Sequence, residues 1–436
     1  MPDLRAARET QATRTTVKLR CALAAVWLCA GVVLCTARAS AQAATPLGNV
    51  LGEVRAQSPS LAAARARISA ARRTHDAAGK PNDPMLSIEV DRVGWARGAG
   101  RPMLRYTLQQ PIPTPGTLGM DQRVAERATE QVEADHATLQ RDLESDVAHG
   151  YVMVWRTQGE LDVVESQRHL VEDSMSAALA RMASGADAHH DVLQSQVELA
   201  TLRDRLVQIG AERTTAVALV NALRNRAGAA LIATEPFALP AQVEPVAELE
   251  AQALRARPEL RSVGAMAAGE RAMATLARRE GWPMFSVGAW YTQDLAMPDS
   301  VGLMVSGTLP VFGASRQSSR ASASLARAGA ADADRQALEL MIRSQVQAAW
   351  ARYAATNERV TLLHDTALPL AEQSLMQSLS SYRTGMTTFT TVLLDERMLT
   401  ELRMQLLAAR AERYDAYVAL LRATARDLTT APIASN

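Results

Sequence analysis

QQPIPTPGTLGM, residues 109–120, and GTLPVFGASR, residues 307–316, make the same abrupt change of character. Each begins as an apolar, strand-like run, meets proline and then glycine, and opens into a long alanine-rich, charge-speckled stretch. Pro111 and Pro310 stand 199 positions apart. So do Pro46 and Pro245, SPSL (58–61) and RPEL (257–260), and Pro84 and Pro283. Further on, ASG (183–185) answers RTG (383–385) and DVL (191–193) answers TVL (391–393), now at an offset of 200. The apolar series Leu199, Leu202, Leu206, Ile209, Val217, Val220 is matched by Leu399, Leu402, Leu406, Ala409, Tyr417, Leu420. A register sustained this far marks a tandem duplication.

Each copy carries the same expected elements. A short helix (about 46–57; 245–256) precedes a longer one (60–79; 259–280). Two strands follow, at 84–94 and 103–112 in the first copy and at 284–293 and 302–312 in the second. Leu86, Ile88 and Val90 alternate with Ser87, Glu89 and Asp91, the period of a strand with one apolar face. After proline and glycine a very long helix begins. From Val132 to Met182 its apolar positions step by threes, fours and sevens, the spacing of a coiled-coil seam. Residues 117–184 would span on the order of 100 Å at the α-helical rise. The chain reverses near Gly185 or Gly385 and returns as a second helix (188–226; 388–425). The repeats therefore cover 46–227 and 245–425, with a linker at 228–244 and a polar tail at 426–436.

Residues 1–41 read as an export signal: Arg5, Arg8, Arg14, Lys18 and Arg20 precede an apolar run at 21–35. ASA (39–41) or AQA (41–43) supplies the small residues for cleavage after 41 or 43. A membrane anchor is the plainer alternative, but the run is shorter than the roughly 20 residues a spanning helix needs. Cys21, Cys29 and Cys35 all lie inside this signal, so the expected mature chain has no disulfide, thiolate metal site or cysteine nucleophile. Net charge is +1, which argues against a nucleic-acid partner. No Gly-rich phosphate loop, G-x-S-x-G or H-E-x-x-H occurs, so neither an enzyme nor a bound cofactor is expected.

Strands of about ten residues with one apolar face suit a tilted crossing of hydrocarbon. Four alone would leave open edges, which lipid forbids. Several chains must pool their strands, and three would make twelve with an open lumen. Trp282, Phe285, Trp290 and Tyr291 crowd one strand region, as an interfacial aromatic girdle requires. On pattern alone, a soluble periplasmic coiled coil with a β-hairpin cap is the competing reading.

QQPIPTPG and LPVFG at the strand-to-helix exits, RPEL, and SYRTGMTTFTTVLLDER (381–397) resemble a TolC-type outer-membrane efflux protein over essentially all of the mature length. The resemblance implies a mainly α fold with a small β part. Duplicated long-helix hairpins build a twelve-helix periplasmic α-barrel, and four strands per chain build a trimeric twelve-stranded transmembrane β-barrel. It also implies a homotrimer in outer-membrane lipid, a periplasmic adaptor (membrane fusion) protein, and an inner-membrane pump of the RND type. The style of the first exit resembles the heavy-metal cation, Czc- and Cus-like, branch. Drug efflux or type I secretion through the same architecture is the alternative. Pro111, Pro113, Pro115, Gly116, Pro310 and Gly313 would turn barrel into tunnel.

The family closes its tunnel at the helical reversals, commonly with aspartates where this chain has Thr391 and Leu394. Asp395, one residue along, and Asp191 in the first copy are the acidic gate candidates, and Leu394 is a candidate apolar closure. Helix-start acids favoured by the dipole are the bland reading of both aspartates. Gly185, Gly385, Tyr382 and Arg383 are the candidate adaptor-docking tips, beside the plain reading of helix C-caps. Asp187, His189 and His190 could hold a divalent cation transiently, although their spacing matches no closed zinc motif and a wet turn is the ordinary explanation.

Overall fold

The computed structural model describes residues 45–91, 102–183, 189–228, 230, 232–235, 239–240, 243–294 and 298–428. The expected leader and its cleavage site, residues 92–101, Gly185, Asp187 and 429–436 lie outside the described residues. The first copy comprises helices α1 (Leu47–Gln57) and α2 (Pro59–Ala78), strands β1 (Met85–Asp91) and β2 (Met103–Ile112), and helices α3 (Thr117–Ala183) and α4 (His189–Leu223). The second repeats the order: α5 (Val246–Ala256), α6 (Pro258–Arg279), β3 (Phe285–Asp294), β4 (Ser300–Gly307), α7 (Gly313–Leu362), a π turn (Leu363–Ala367), α8 (Leu368–Arg383) and α9 (Phe389–Ala423).

Local chemistry sets the boundaries. Pro59 and Pro258 stand in the first turn of α2 and α6, and Ser58 and Arg257 before them are extended (ψ 123°). A proline forces its predecessor out of the α region, so α1 and α5 stop there. The returning helices α4 and α9 also end alike. Asn225 and Ala425 take φ 56° and 57°, and Arg226 and Arg426 each donate a backbone N–H five residues back, at 2.9 Å. That is a Schellman turn in both copies.

Strict alternation builds an antiparallel sheet in the order β1–β2–β3–β4. The copies meet where Tyr106 pairs with Tyr291 and Gln109 with Gly288. One face collects Leu86, Ile88, Val90, Leu108, Val287, Val301, Leu303 and Val305, all exposed. The other collects Ser87, Glu89, Arg105, Gln109, Ser286, Thr292 and Ser306. There the Gln109 amide donates to the hydroxyls of Ser286 (2.5 Å) and Ser306 (3.0 Å), lacing three strands.

The register corrects two expectations. Trp290 does not join an apolar girdle. It pairs with Thr107 and Gly302, on the polar face, because a period of two sends Trp290 and its neighbour Tyr291 to opposite sides. Its indole lies across Gly302, where a Cβ would stand 2.4 Å from the ring, and the Arg105 guanidinium sits 5.7 Å from the ring centroid. Tyr291 and Tyr106 stack on the apolar face, centroids 6.2 Å apart. The strand expected over 302–312 ends at Gly307, because Pro310 carries no N–H to continue a ladder.

The long helices pack through small and β-branched seam residues. Val50, Leu51 and Val54 of α1 are fully buried against Val147, Tyr151 and Val154 of α3 and Val217 and Val220 of α4. Leu249 and Ala253 of α5 repeat this against Ile342 and Val346 of α7. Buried Thr157 and Thr356, 199 residues apart, each return their hydroxyl to the carbonyls three and four residues back. Burial keeps that offset through Val164 and Leu363, then shifts to 200 from Val171 and Ala371 onward. The change falls at the π turn Leu363–Ala367, with Pro369 in the next turn. A π turn holds one residue more than an α turn, so it absorbs the extra residue and leaves the seam in phase. No helix among the described residues is long and apolar enough to cross a membrane.

Candidate functional site

At the second reversal, Gly385, two residues past the end of α8, takes φ 75°. Met386 N–H donates to the Ser381 carbonyl at 2.8 Å and Gly385 N–H to that of Tyr382 at 3.0 Å. Only a residue without Cβ takes this conformation freely, so Gly385 is a helix-ending glycine that also sets the tip. Thr388 and Thr391 share a hydroxyl contact of 3.1 Å as α9 begins.

Tyr382 is the hub. Its ring is buried against Phe389, centroids 5.7 Å apart, and lies 4.6 Å from the Arg181 guanidinium of α3. Its hydroxyl donates to Asp191 Oδ2 of α4 at 3.2 Å. Four helices from both copies thus converge on one side chain. Burial pushes the phenol above its ordinary value, Arg181 draws it back, and Asp191 pushes it up again. The phenol stays protonated and remains a donor.

The other expected gate and tip residues differ in exposure. Leu394 is 57% exposed, so this chain leaves most of its side chain uncovered. Asp395 is half-buried and Thr391 and Arg383 are exposed. His189 and His190 lie exposed at the start of α4. Among the described residues no group of three His, Cys, Asp or Glu side chains could hold a metal ion.

Sequence reading missed a second polar layer, just above the tip. Glu396 of α9 is 1% exposed and accepts from the Ser174 hydroxyl of α3 at 2.7 Å, while its Oε2 has no partner. Buried Glu198 of α4 is held by Arg397 of α9, through Nε at 3.1 Å and through Nη2, and by Gln167 of α3. The available signal was position: Glu396 falls between Val392 and Leu399 on the buried stripe of α9.

At the opposite end the two exits differ. Gly116 takes φ 81°, and Arg279 donates to the Pro115 carbonyl at 3.4 Å. Pro111, next to last in β2 and opposite Ser286, lies beyond the last residue that β1 pairs, so its missing N–H costs no bond to β1. Pro113 and Thr114 follow. In the second copy Val311 N–H folds back to the Leu309 carbonyl at 2.9 Å around Pro310, and Gly313 is already the first residue of α7. Glycine freedom is therefore used at Gly116 and not at Gly313. Between the exits lies a cavity of about 790 Å³, lined by Leu118, Glu280, Trp282, Phe312 and Gln317 among others.

A two-faced sheet joined by sharp turns to long paired helices, whose tips are tied across the copies, is the architecture of a membrane duct subunit. The model of the outer membrane efflux protein family matches residues 50–228 and 249–426, and the chain belongs to that family. Solved structures agree in fold. The outer-membrane channel OprN is 21% identical, with a TM-score of 0.75 over 88% of this chain and 90% of that one. CusC is 16% identical, with a TM-score of 0.74 over 87% and 91%. VceC of Vibrio cholerae is 18% identical, with a TM-score of 0.73 over 87% and 95%. No curated protein sequence matches significantly.

Proposed function

We infer that the chain is one subunit of a homotrimeric outer-membrane exit duct, passive in itself. A periplasmic adaptor and an inner-membrane pump of the RND type would deliver its cargo. The carrying observation is the sheet: one face is apolar across all four strands between Gln110 and Gln293, with β1 and β4 at open edges. Lipid tolerates strands only in a closed ring, so neighbouring copies must cap these edges. The matching family and neighbouring folds support the same reading. Tyr382, Asp191 and Gly385 supply the closable, adaptor-facing end, with Asp395 and Leu394 facing the mouth of the ring.

Heavy-metal cations are the proposed cargo, on the style of the first exit. A second reading, organic drug-like cargo, is favoured by Trp290, which offers an aromatic surface on the polar face beside Arg105. A heat-modifiable trimer in outer-membrane fractions tests the duct; a water-soluble monomer refutes it. Comparing a deletion strain's tolerance of Co, Zn, Cd, Cu and Ag with its tolerance of dyes and antibiotics separates the cargoes. Unchanged metal tolerance beside lost drug tolerance would select the second.

A further inference from the structure

We propose that Glu396 is a proton-controlled spring in the seam between the two coiled coils: neutral, it lets α3, α4 and α9 stay packed, and ionised, it drives them apart. The proposal rests on the duct reading only for its consequence at the mouth; the spring itself is a property of the packed helices.

The seam of α9 runs Phe389, Val392, Glu396, Leu399, all buried. Opposite it, the α3 seam runs Val164, Gln167, Val171, Ser174, Ala178. A carboxyl thus occupies a position where its neighbours along the helix are apolar. Ionised, it would need two or three donors to replace its hydration. It receives one, from Ser174 at 2.7 Å, and its Oε2 has none.

Its charged surroundings are unhelpful to the anion. From α4 it faces Glu198, a buried carboxylate. From its own helix the adjacent Arg397 is turned away onto Glu198, and from α3 it meets the neutral Ser174. Burial pushes the Glu396 carboxyl above the ordinary range, the Ser174 hydroxyl lowers it somewhat, and Glu198 raises it further. The second oxygen has no acceptor for a proton either, so the neutral form also leaves one group unsatisfied. The seam is strained in one protonation state and more strained in the other.

The sign follows from linkage. The packed seam holds the proton more tightly than a separated, hydrated seam would. Separation therefore grows as pH rises from the ordinary carboxylate value to the raised one, by at most about tenfold per pH unit. Above the raised value the gain stops. The layer lies a few turns from the Tyr382–Asp191 bond, so separation here strains the tie that joins the tips.

The test uses the full-length protein, with Cys21, Cys29 and Cys35 replaced by serine, in lipid nanodiscs. Spin labels are placed through Ala177→Cys on α3 and Met398→Cys on α9, both exposed, and their separation is measured from pH 4.5 to 9. The expected result is a longer-distance population that grows with pH in the parent and is flat in Glu396→Gln. Ser174→Ala should move the midpoint to higher pH, because it removes the one donor that favours the anion. A parent without pH response, a Glu396→Gln variant that keeps the parent's response, or an unmoved midpoint in Ser174→Ala would overturn the proposal. Conductance in planar bilayers is read separately: a seam that responds while no conductance appears would sink the duct reading and leave the spring standing.

Discussion

The hydroxyl of Tyr382, one turn before the second reversal, is bonded to the carboxylate of Asp191, which opens the first copy's returning helix, at 3.2 Å. This bond joins two residues 191 positions apart and ties the two coiled coils at their free ends. Tyr382→Phe removes it while keeping the ring against Phe389 and Arg181. A bond to a charged acceptor at a partly exposed site is worth about 1 kcal/mol, roughly a fivefold change in a closed–open balance. Basal single-channel conductance should rise accordingly, with thermal stability little changed.

Gly302 exists for Trp290. Any Cβ at this position meets the indole at 2.4–2.7 Å, so Gly302→Val must expel the ring from its seat on β4. On the proposed assembly, the heat-modifiable trimer should fall severalfold. The double variant Gly302→Val, Trp290→Ala should recover most of it, as gel shift would show.

Ala425 pays for the second Schellman turn with φ 57°, where the first copy uses Asn225. A side chain with a Cβ costs about 1–2 kcal/mol in this conformation. Ala425→Gly should therefore stabilise the chain by about 1 kcal/mol, and Ala425→Asn by somewhat less. Chemical denaturation of the same preparation measures both.

Glu259, in the RPEL segment, is the acid-sensitive joint. Burial alone would raise its carboxyl. The fork from Arg257 (2.7 and 3.2 Å) and the charge of Arg422 (3.0 Å) outweigh it and hold it at about 2. A lowered carboxyl contributes stability above its unfolded value near 4.5, and that contribution is lost as pH falls toward 2. Glu259→Gln should lower the melting temperature at pH 7 but converge with the parent only as pH falls through about 2, a contrast calorimetry resolves.

The elements were legible because their signals are local. Proline at 59 and 258 marks helix starts, alternation at 86–91 marks a strand, and the repeat offset reports each one twice. The face taken by Trp290 was harder. A cluster of aromatics suggests a belt until register assigns each residue to a side, and register depends on pairing between distant segments. Tyr382, Asp191 and Gly385 stood out in the tip segments, yet the bond between the first two needs α4 and α8 side by side. Glu396 hid in plain view, as an acid among many on a helix until the seam's phase showed that it points inward.

The π turn at Leu363–Ala367 has a practical meaning for anyone exchanging parts between the halves. A hairpin grafted from one half into the other must be counted with 199 before the turn and 200 after it, or every transplanted contact rotates away from its partner. Removing a single residue from that turn should convert it to an ordinary α turn without altering the helical phase at the mouth. The two arms would then become interchangeable cassettes.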